Sequence, residues 1–470
     1  MHNTPNDRYE QPRAIGSRLE LMVDDFLIER MDGARLQLQT PQKMPRAQSP
    51  LVGGYTTVIK DGDLFRAIYR TPDPDYRGER YDGNPGEMVC YAESTDGHEW
   101  TIPTLGLIEV GGSRANNTIL YESPASHTFA PFLDTRPGVP PDERFKALAG
   151  LHDEAIRVAR ATDPTSIPPG IKGGLYAYAS PDAIHWRKIS QEPVIPSSAA
   201  GEFGFDSQNV SFWSETENCY VCYFRSWIMS DGNSFAWTPA LKRSISRITS
   251  TDYRHWGAPE PLYPNLPDEH LYTSQTHPYF RAPHIYIATP TRFMANRGDS
   301  TDIMFMTARG NSAFTRTFKE AFLRPGLDPA RWGNRANYVA HNIVPTSPHE
   351  MSIYHDHSGD RYVLRTDGFA SVNGPHAGGQ LLTRPLLFSG SSLVLNYSTS
   401  AAGFIQVECQ DQAGTPLPGF SLEDCIPLIG DAIEHTVAWK GGGSLASFAN
   451  QPVRLRIMLH DADLFALRFC

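Results

Sequence analysis

Asp206, Glu269 and Glu350 each stand at or just before a short run of β-branched and aromatic residues, where a strand is expected to begin. Asp24 and Asp25, inside LELMVDDFLI at 19–28, add a further position. Neighbours on a strand face opposite ways, so at most one of that pair looks inward. Carboxylates converging from separate strands suit the cleavage of a glycosidic bond. One acid protonates the leaving oxygen while another serves as base or nucleophile. On this reading Asp206 and Glu350 form the first pair, Glu269 is a third candidate for the acid, and Asp25 is an alternative nucleophile.

The strand starts share a frame. DSQNVSF at 206–212 lies over TSQTHPY at 273–279, with SHTFAPF at 126–132, PHEMSIY at 348–354 and VGGYTTV at 52–58 in register. The equivalent positions are Gly54, Thr128, Gln208, Gln275 and Glu350, with Asp206 two residues outside and His127, His277 and His349 adjoining. A plain packed core does not use such groups, because they cost free energy when buried without partners. The frame therefore reads as a polar ring around a channel mouth. Gln208, Gln275, His277, His127, Asp24 and Arg281 are its expected substrate-binding groups. HDH at 355–357 precedes Ser-Gly and reads as an exposed hairpin tip, and Asp134 as a turn residue.

An internal repeat supplies the elements that must hold this ring. STDGHEW at 94–100, SPDAIHW at 180–186 and STDYRHW at 250–256 share the pattern S-x-D-x-x-x-W, each after a strand-like run. A serine–aspartate turn caps the backbone there and a tryptophan pins the next strand. Two further strands precede each copy, and the hairpin signal DGD at 61–63 joins the first such pair. Five units of this kind read as a five-bladed β-propeller, whose radial closure leaves no long sheet edges. From about Gly368 the strands become short and regular, separated by SGS, DQAG and KGGG turns, which reads as a β-sandwich. The expectation is an all-β chain: a propeller over 1–368, including an N-terminal closing strand, and a sandwich over 369–470. Helix is expected only at 153–162 and 317–323.

Composition sets limits around that fold. The 470 residues are 40% hydrophobic with 38 glycines and 38 prolines, an ordinary globular balance rich in turns. A formal charge of −10 argues against a partner held by its phosphates, so neither nucleic acid nor an anionic membrane surface is expected. Six cysteines are too few for a disulfide scaffold. Cys219 and Cys222 lie on a strand-like run whose i and i+3 positions face opposite sides, so they read as core residues and not as a metal clamp. Residues 1–12 are polar and carry no leader pattern, so a cytoplasmic protein is expected. No nucleotide-binding or zinc-peptidase motif is present, and neither cofactor nor metal is expected.

The strand–S-x-D-x-x-x-W grammar resembles the five-bladed propellers of the furanosidase type, glycoside hydrolase families 32, 43 and 68 and the related family 130 phosphorylases. The chain is more closely similar to a bacterial group with a family 32-like N-terminal domain. LMVDDFLIE at 21–29, EHLYTSQTHPYFRAPHIY at 269–286, AFLRPGLD at 321–328, LNYSTSAAG at 395–403 and PGFSLEDC at 418–425 carry the likeness. The resemblance implies three carboxylates from different blades around a funnel. The W-x-N-D-P-N-G, R-D-P and E-C motifs of family 32 are not intact here; VDDF at 23–26, FDS at 205–207 and Glu269-His270 stand nearest to them. The expected activity is an exo-acting glycoside hydrolase on short oligosaccharides. The alternatives are a non-catalytic sugar-binding propeller and a phosphorylase, which would need an anion pocket drawn from Arg281, Arg292 or His277.

Overall fold

The protein is described by a computed structural model covering residues 11–45, 51, 53–201, 203–228, 241–333 and 335–470. Most of residues 1–12, and Val52 of the first ring frame, lie outside the described residues. Strands dominate. The predicted helix Asp153–Thr162 forms, capped by His152, whose side chain accepts from the Ala155 N–H. The segment 317–323 is not helical: the Phe322 and Leu323 amides bond instead to the Ile303 carbonyl. No helix among the described residues is long and apolar enough to cross a membrane.

The chain forms two compact units, residues 41–363 and residues 1–40 with 364–470. This corrects the expected boundary. The N-terminal strands Glu20–Leu21, Ile28–Asp32 and Arg35–Leu38 pair with Arg454–Phe469, Gly379–Thr383 and Ala370–Gly374, so they belong with the C-terminal strands. Gln42–Lys43 instead joins the larger unit, pairing with Arg361–Arg365.

In the larger unit, hairpin-connected antiparallel sheets follow one another. The first runs Gly54–Asp61, Leu64–Pro72, Glu87–Ser94, Thr118–Leu120. The second starts with Ala130–Leu133 and the third with Val210–Ser214. The fourth is His277–Tyr279, Ala282–Ala288 and Met306–Arg309, beside a small sheet begun by His270–Leu271. The fifth runs Val344–Ser347, Glu350–Tyr354, Arg361–Arg365, Gln42–Lys43.

The three S-x-D-x-x-x-W copies make one turn three times. Asp96 Oδ1 accepts from the amides of His98 and Glu99, Asp182 Oδ1 from Ile184 and His185, and Asp252 Oδ1 from Arg254 and His255. Each aspartate loses hydration on partial burial, but these amide bonds, together with side-chain bonds (for Asp252 chiefly from His255), outweigh that and lower all three pKa values, Asp182 to about 2. The tryptophans wedge edge-on: Trp100 on Tyr354, Trp186 on Phe129, Trp256 on Tyr253.

At the centre, Gln275 Nε2 donates to Gln208 Oε1 at 2.8 Å and to the Val339 carbonyl at 2.7 Å. Gln208 Nε2 donates to Thr57 Oγ1 at 2.8 Å and to the Tyr55 carbonyl at 3.0 Å. The two amides thus tie the first, third, fourth and fifth sheets together by their inner segments.

The smaller unit is built on two long strands, Leu393–Gln410 and Arg454–Phe469, paired along their length. The sequence predicts breaks at 399–403 and 460–463, but both strands continue. A register shift between Thr399 and Phe404 absorbs the extra residues as a bulge. Leu395, Val407, Trp439, Leu455, Ile457 and Phe469 are among the residues of its core. All six cysteines are free; Cys222 is buried as expected, while Cys219 is only half-buried.

Candidate active site

The inner segments of the larger unit begin around one polar cavity of about 180 Å³, lined among others by Tyr55, Asp82, His127, Asp206, Asp356 and His357. Each comes from a place where the chain turns. Tyr55 opens the first inner strand, and Asp82 lies in the loop between Leu64–Pro72 and Glu87–Ser94. His127 precedes the second inner strand, Asp206 precedes the third, and Asp356–His357 follow Glu350–Tyr354. Tyr55, Phe205, Arg335 and His357 all adopt positive φ, 51°, 66°, 56° and 65°. Strained backbone of this kind gathers where surrounding structure fixes groups for a task.

Asp206 is the centre of the charge network. Its Oδ2 accepts from Arg225 at 2.8 Å and its Oδ1 from His127 Nε2 at 3.2 Å. Burial opposes its charge, yet the Arg225 guanidinium and then His127 outweigh burial and hold the carboxyl far below the usual carboxylate range. The other face of His127 meets Glu87, whose Oε2 lies 2.8 Å from Nδ1. Burial and Arg70 work against charge on the ring, but Glu87 and Asp206 prevail and raise its pKa.

Asp82 behaves oppositely. One oxygen of Asp82, one of Asp206 and a His127 nitrogen all lie within 4.8 Å of one another. The residue as a whole is exposed, but its carboxyl faces this crowded mouth. Loss of water around that carboxyl, then the charge of Asp206, raise its pKa. Such a group of two carboxylates and an imidazole has ligand types suited to a divalent cation. Arg225 on Asp206 and Arg70 on His127 already supply positive charge there.

Asp356 is fully enclosed. Its Oδ1 accepts from the Thr56 amide at 3.2 Å, while Oδ2 is buried without a partner. Burial pushes its carboxyl up to about 7.

Of the residues predicted from sequence, Asp206 and His127 line this cavity. Glu350 does not, and the ring frame needs a correction in the fifth sheet. An additional strand, Val344–Ser347, precedes Glu350–Tyr354 and is the inner one, so Glu350 sits on the second strand beside the hairpin turn. It accepts from Arg361 and Thr346, both at 2.8 Å. The opposite end of the same strand delivers Asp356 and His357, which the sequence misreads as an exposed tip.

Glu269 is also placed elsewhere. It is buried in an ion pair with Arg316 and accepts from the Leu266 amide at 2.7 Å. Asp24 and Asp25 belong to the other unit, where Asp24 Oδ1 accepts from the Phe26 amide. Gln208 and Gln275 are wholly buried in the central amide pair. Arg281 lies in the turn between His277–Tyr279 and Ala282–Ala288. Arg292 is committed to Asp302 through two bonds, at 2.8 and 2.5 Å. Asp134 holds a turn as expected, accepting from the Arg136 amide at 3.0 Å, and is also a buried partner of Lys146, at 2.6 Å.

His277 lines a separate, largely apolar cavity of about 340 Å³ with Val58, Phe132 and Phe212. Burial lowers its pKa to about 4, so it is neutral near pH 7. Glu215 is the only carboxylate-bearing residue lining that cavity among the described residues, which makes it a poor place for acid–base chemistry.

Sequence reasoning missed Asp82, Arg70, Arg225, Asp356 and His357. Arginine in the apolar run CYVCYFR at 219–225 is the one signal that was present: a charge buried on a strand calls for a partner.

A second cavity of about 460 Å³ adjoins the first and shares Asp82, Asp206 and Arg225 with it. Its other walls include His152, Phe203, Trp227 and Arg243.

No protein-family model and no curated protein sequence matches the chain. In structure it is similar to a family 43 arabinoxylan arabinofuranohydrolase from Bacillus subtilis solved with cellotetraose, at 13% identity over 89% of this chain and 95% of that one, TM-score 0.41. It is also similar to a β-1,2-mannobiose phosphorylase from Listeria innocua, at 10% identity over 72% and 98%, TM-score 0.42. An α-L-arabinofuranosidase from Clostridium thermocellum shares 11% identity over 65% and 83%, TM-score 0.40.

Proposed function

We propose that this protein cleaves a glycosidic bond at the end of a short oligosaccharide, on a five-bladed propeller accompanied by a β-sandwich, with Asp206 and Asp82 as the working pair. The observation that carries the reading is the junction of the two cavities. The residues common to both walls include two carboxylates whose surroundings drive their pKa values in opposite directions. A bond joining a sugar in the smaller cavity to a unit in the larger one passes between them. Paired carboxyls pushed apart in this way take the acid and base roles.

Asp82, at the mouth, is the proton donor to the leaving oxygen. Asp206, held ionised by Arg225 and His127, is the carboxylate that meets the anomeric carbon. Their oxygens lie within 4.8 Å, which favours the retaining geometry (about 5–5.5 Å) over the inverting one (about 6.5–9.5 Å). In that course a glycosyl ester on Asp206 forms as the glycosidic C–O bond breaks and the leaving oxygen takes the Asp82 proton; Asp82 then deprotonates the water that attacks the anomeric carbon, which breaks the ester and frees the Asp206 carboxylate. The smaller cavity has room for about one sugar unit, which supports exo action.

The test is a screen of an oligosaccharide panel by reducing-sugar release and mass spectrometry, with Asp206→Asn and Asp82→Asn beside the wild type. Loss of about a hundredfold or more in turnover, about 2.7 kcal/mol of barrier, is expected in both. Aryl glycosides with good leaving groups restore Asp82→Asn but not Asp206→Asn. Turnover unchanged in both variants removes the pair from the mechanism.

A further inference from the structure

Three guanidinium groups surround one tyrosine ring on the wall of the smaller cavity. The Cζ atoms of Arg225, Arg243 and Arg335 lie 5.5, 4.6 and 5.5 Å from the Tyr272 ring centroid. Arg225 is neutralised by Asp206 at 2.8 Å. Neither Arg243 nor Arg335 has a carboxylate partner among the described residues. Arg243 is the more telling of the two. Trp227 at 4.2 Å, Tyr272 at 4.6 Å and Phe293 at 5.6 Å flank its guanidinium, and its Nε is buried with no hydrogen-bond partner.

A charge in that position is costly unless something answers it. Burial and the positive neighbours Arg225 and Arg335 pull the Arg243 pKa down to about 10, which still leaves it charged near pH 7. Of the other charged groups on the second cavity, Asp206 favours the Arg243 charge but forms its ion pair with Arg225, and none forms an ion pair with Arg243 among the described residues. Asp82 and Asp206 belong to the junction, and Glu154 bonds to Arg157. His152, whose ring meets Phe203 edge-on at 5.7 Å, has its pKa lowered by burial and so adds no fixed charge.

We infer that the second cavity is an oxyanion subsite, with Arg243 as its principal ligand and Arg335, on the smaller cavity across the Tyr272 ring, as a supporting cation. The bound group is planar or tetrahedral oxyanion chemistry of the kind a guanidinium fork takes: the carboxylate of an acidic sugar on the leaving side, or inorganic phosphate as acceptor in place of water. The inference deepens the proposed function by naming what the larger cavity holds, and it rests on that reading only for the word leaving.

The experiment reads binding and needs no turnover, so its failure is separate from failure of the hydrolase reading. The full chain is titrated calorimetrically with inorganic phosphate, with glucuronate and with glucose, in wild type and in Arg243→Ala, Arg243→Lys and Arg335→Ala. Melting curves establish that each variant is folded. The expected result is saturable binding of phosphate or glucuronate, absent for glucose, weakened at least tenfold in Arg243→Ala and partly kept in Arg243→Lys. Phosphate binding together with phosphate-dependent turnover assigns the phosphorolytic source, and glucuronate binding assigns the acidic sugar. Absence of saturable binding for both anions, or binding that is unchanged in folded Arg243→Ala or Arg243→Lys, overturns the inference.

Discussion

His127 Nε2 lies 3.2 Å from Asp206 Oδ1 while its Nδ1 lies 2.8 Å from Glu87 Oε2, so one buried imidazole bridges carboxylates from the first and third sheets. With a proton on Nε2, the ring donates to Asp206. The bridge fixes which oxygen of Asp206 is occupied and leaves its orientation to Arg225 and His127 together.

Replacing His127 by Leu removes its hydrogen bond to the charged Asp206, worth about 1.5–3 kcal/mol. Turnover on any substrate found in the screen is expected to fall about 10- to 100-fold, less than in Asp206→Asn. Steady-state kcat and KM measured separately check this, because a positioning role lowers kcat more than it raises KM.

The pH profile follows from the opposite shifts of Asp82 and Asp206. Asp82 acts protonated, so activity is full below its raised pKa and falls as pH rises through it. Asp206 acts ionised, and its depressed pKa places the acid limb well below the usual carboxylate range of about 4. Rate against pH is therefore a plateau with one descending alkaline limb. In Asp82→Asn the residual rate on an activated aryl glycoside loses that limb; a limb that persists there assigns it to another group.

Asp356 links stability to pH. Its folded pKa of about 7 exceeds the value near 4 of an unfolded aspartate, so the folded state holds an extra proton between them. Stability falls as pH rises from about 4 to about 7 and is level above that. Asp356→Asn keeps the shape and removes the titration. It is expected to raise the melting temperature at pH 8, by no more than about 4 kcal/mol of stability, and to have little effect at pH 4. Equal shifts at both pH values, followed by calorimetry, exclude the linkage.

Glu269 and Glu350 separate stability from catalysis. Glu269→Gln leaves Arg316 buried without its counter-charge and is expected to cost about 3–5 kcal/mol in urea unfolding. Glu350 is 28% exposed at the side chain beside Arg361, and Glu350→Gln is expected to cost about 1 kcal/mol or less. Per folded molecule, neither variant loses turnover; a hundredfold loss in either restores it to the catalytic set.

The sequence by itself determined the strand-rich fold, the three serine–aspartate turns, the helix at Asp153–Thr162 and the prominence of Asp206 and His127. These are local properties: residue preference, side-chain capping of a neighbouring amide, and a repeated frame. What it left undetermined depended on strand order. The extra inner strand Val344–Ser347 moved Glu350 away and brought Asp356 and His357 to the cavity, since reversing which strand is inner exchanges the two ends of a hairpin. Only the tertiary structure decided that Glu269 meets Arg316, 47 residues away, and that Arg225 meets Asp206. A carboxylate becomes an acid, a base or a brace through the charges packed against it, and those arrive from distant parts of the chain.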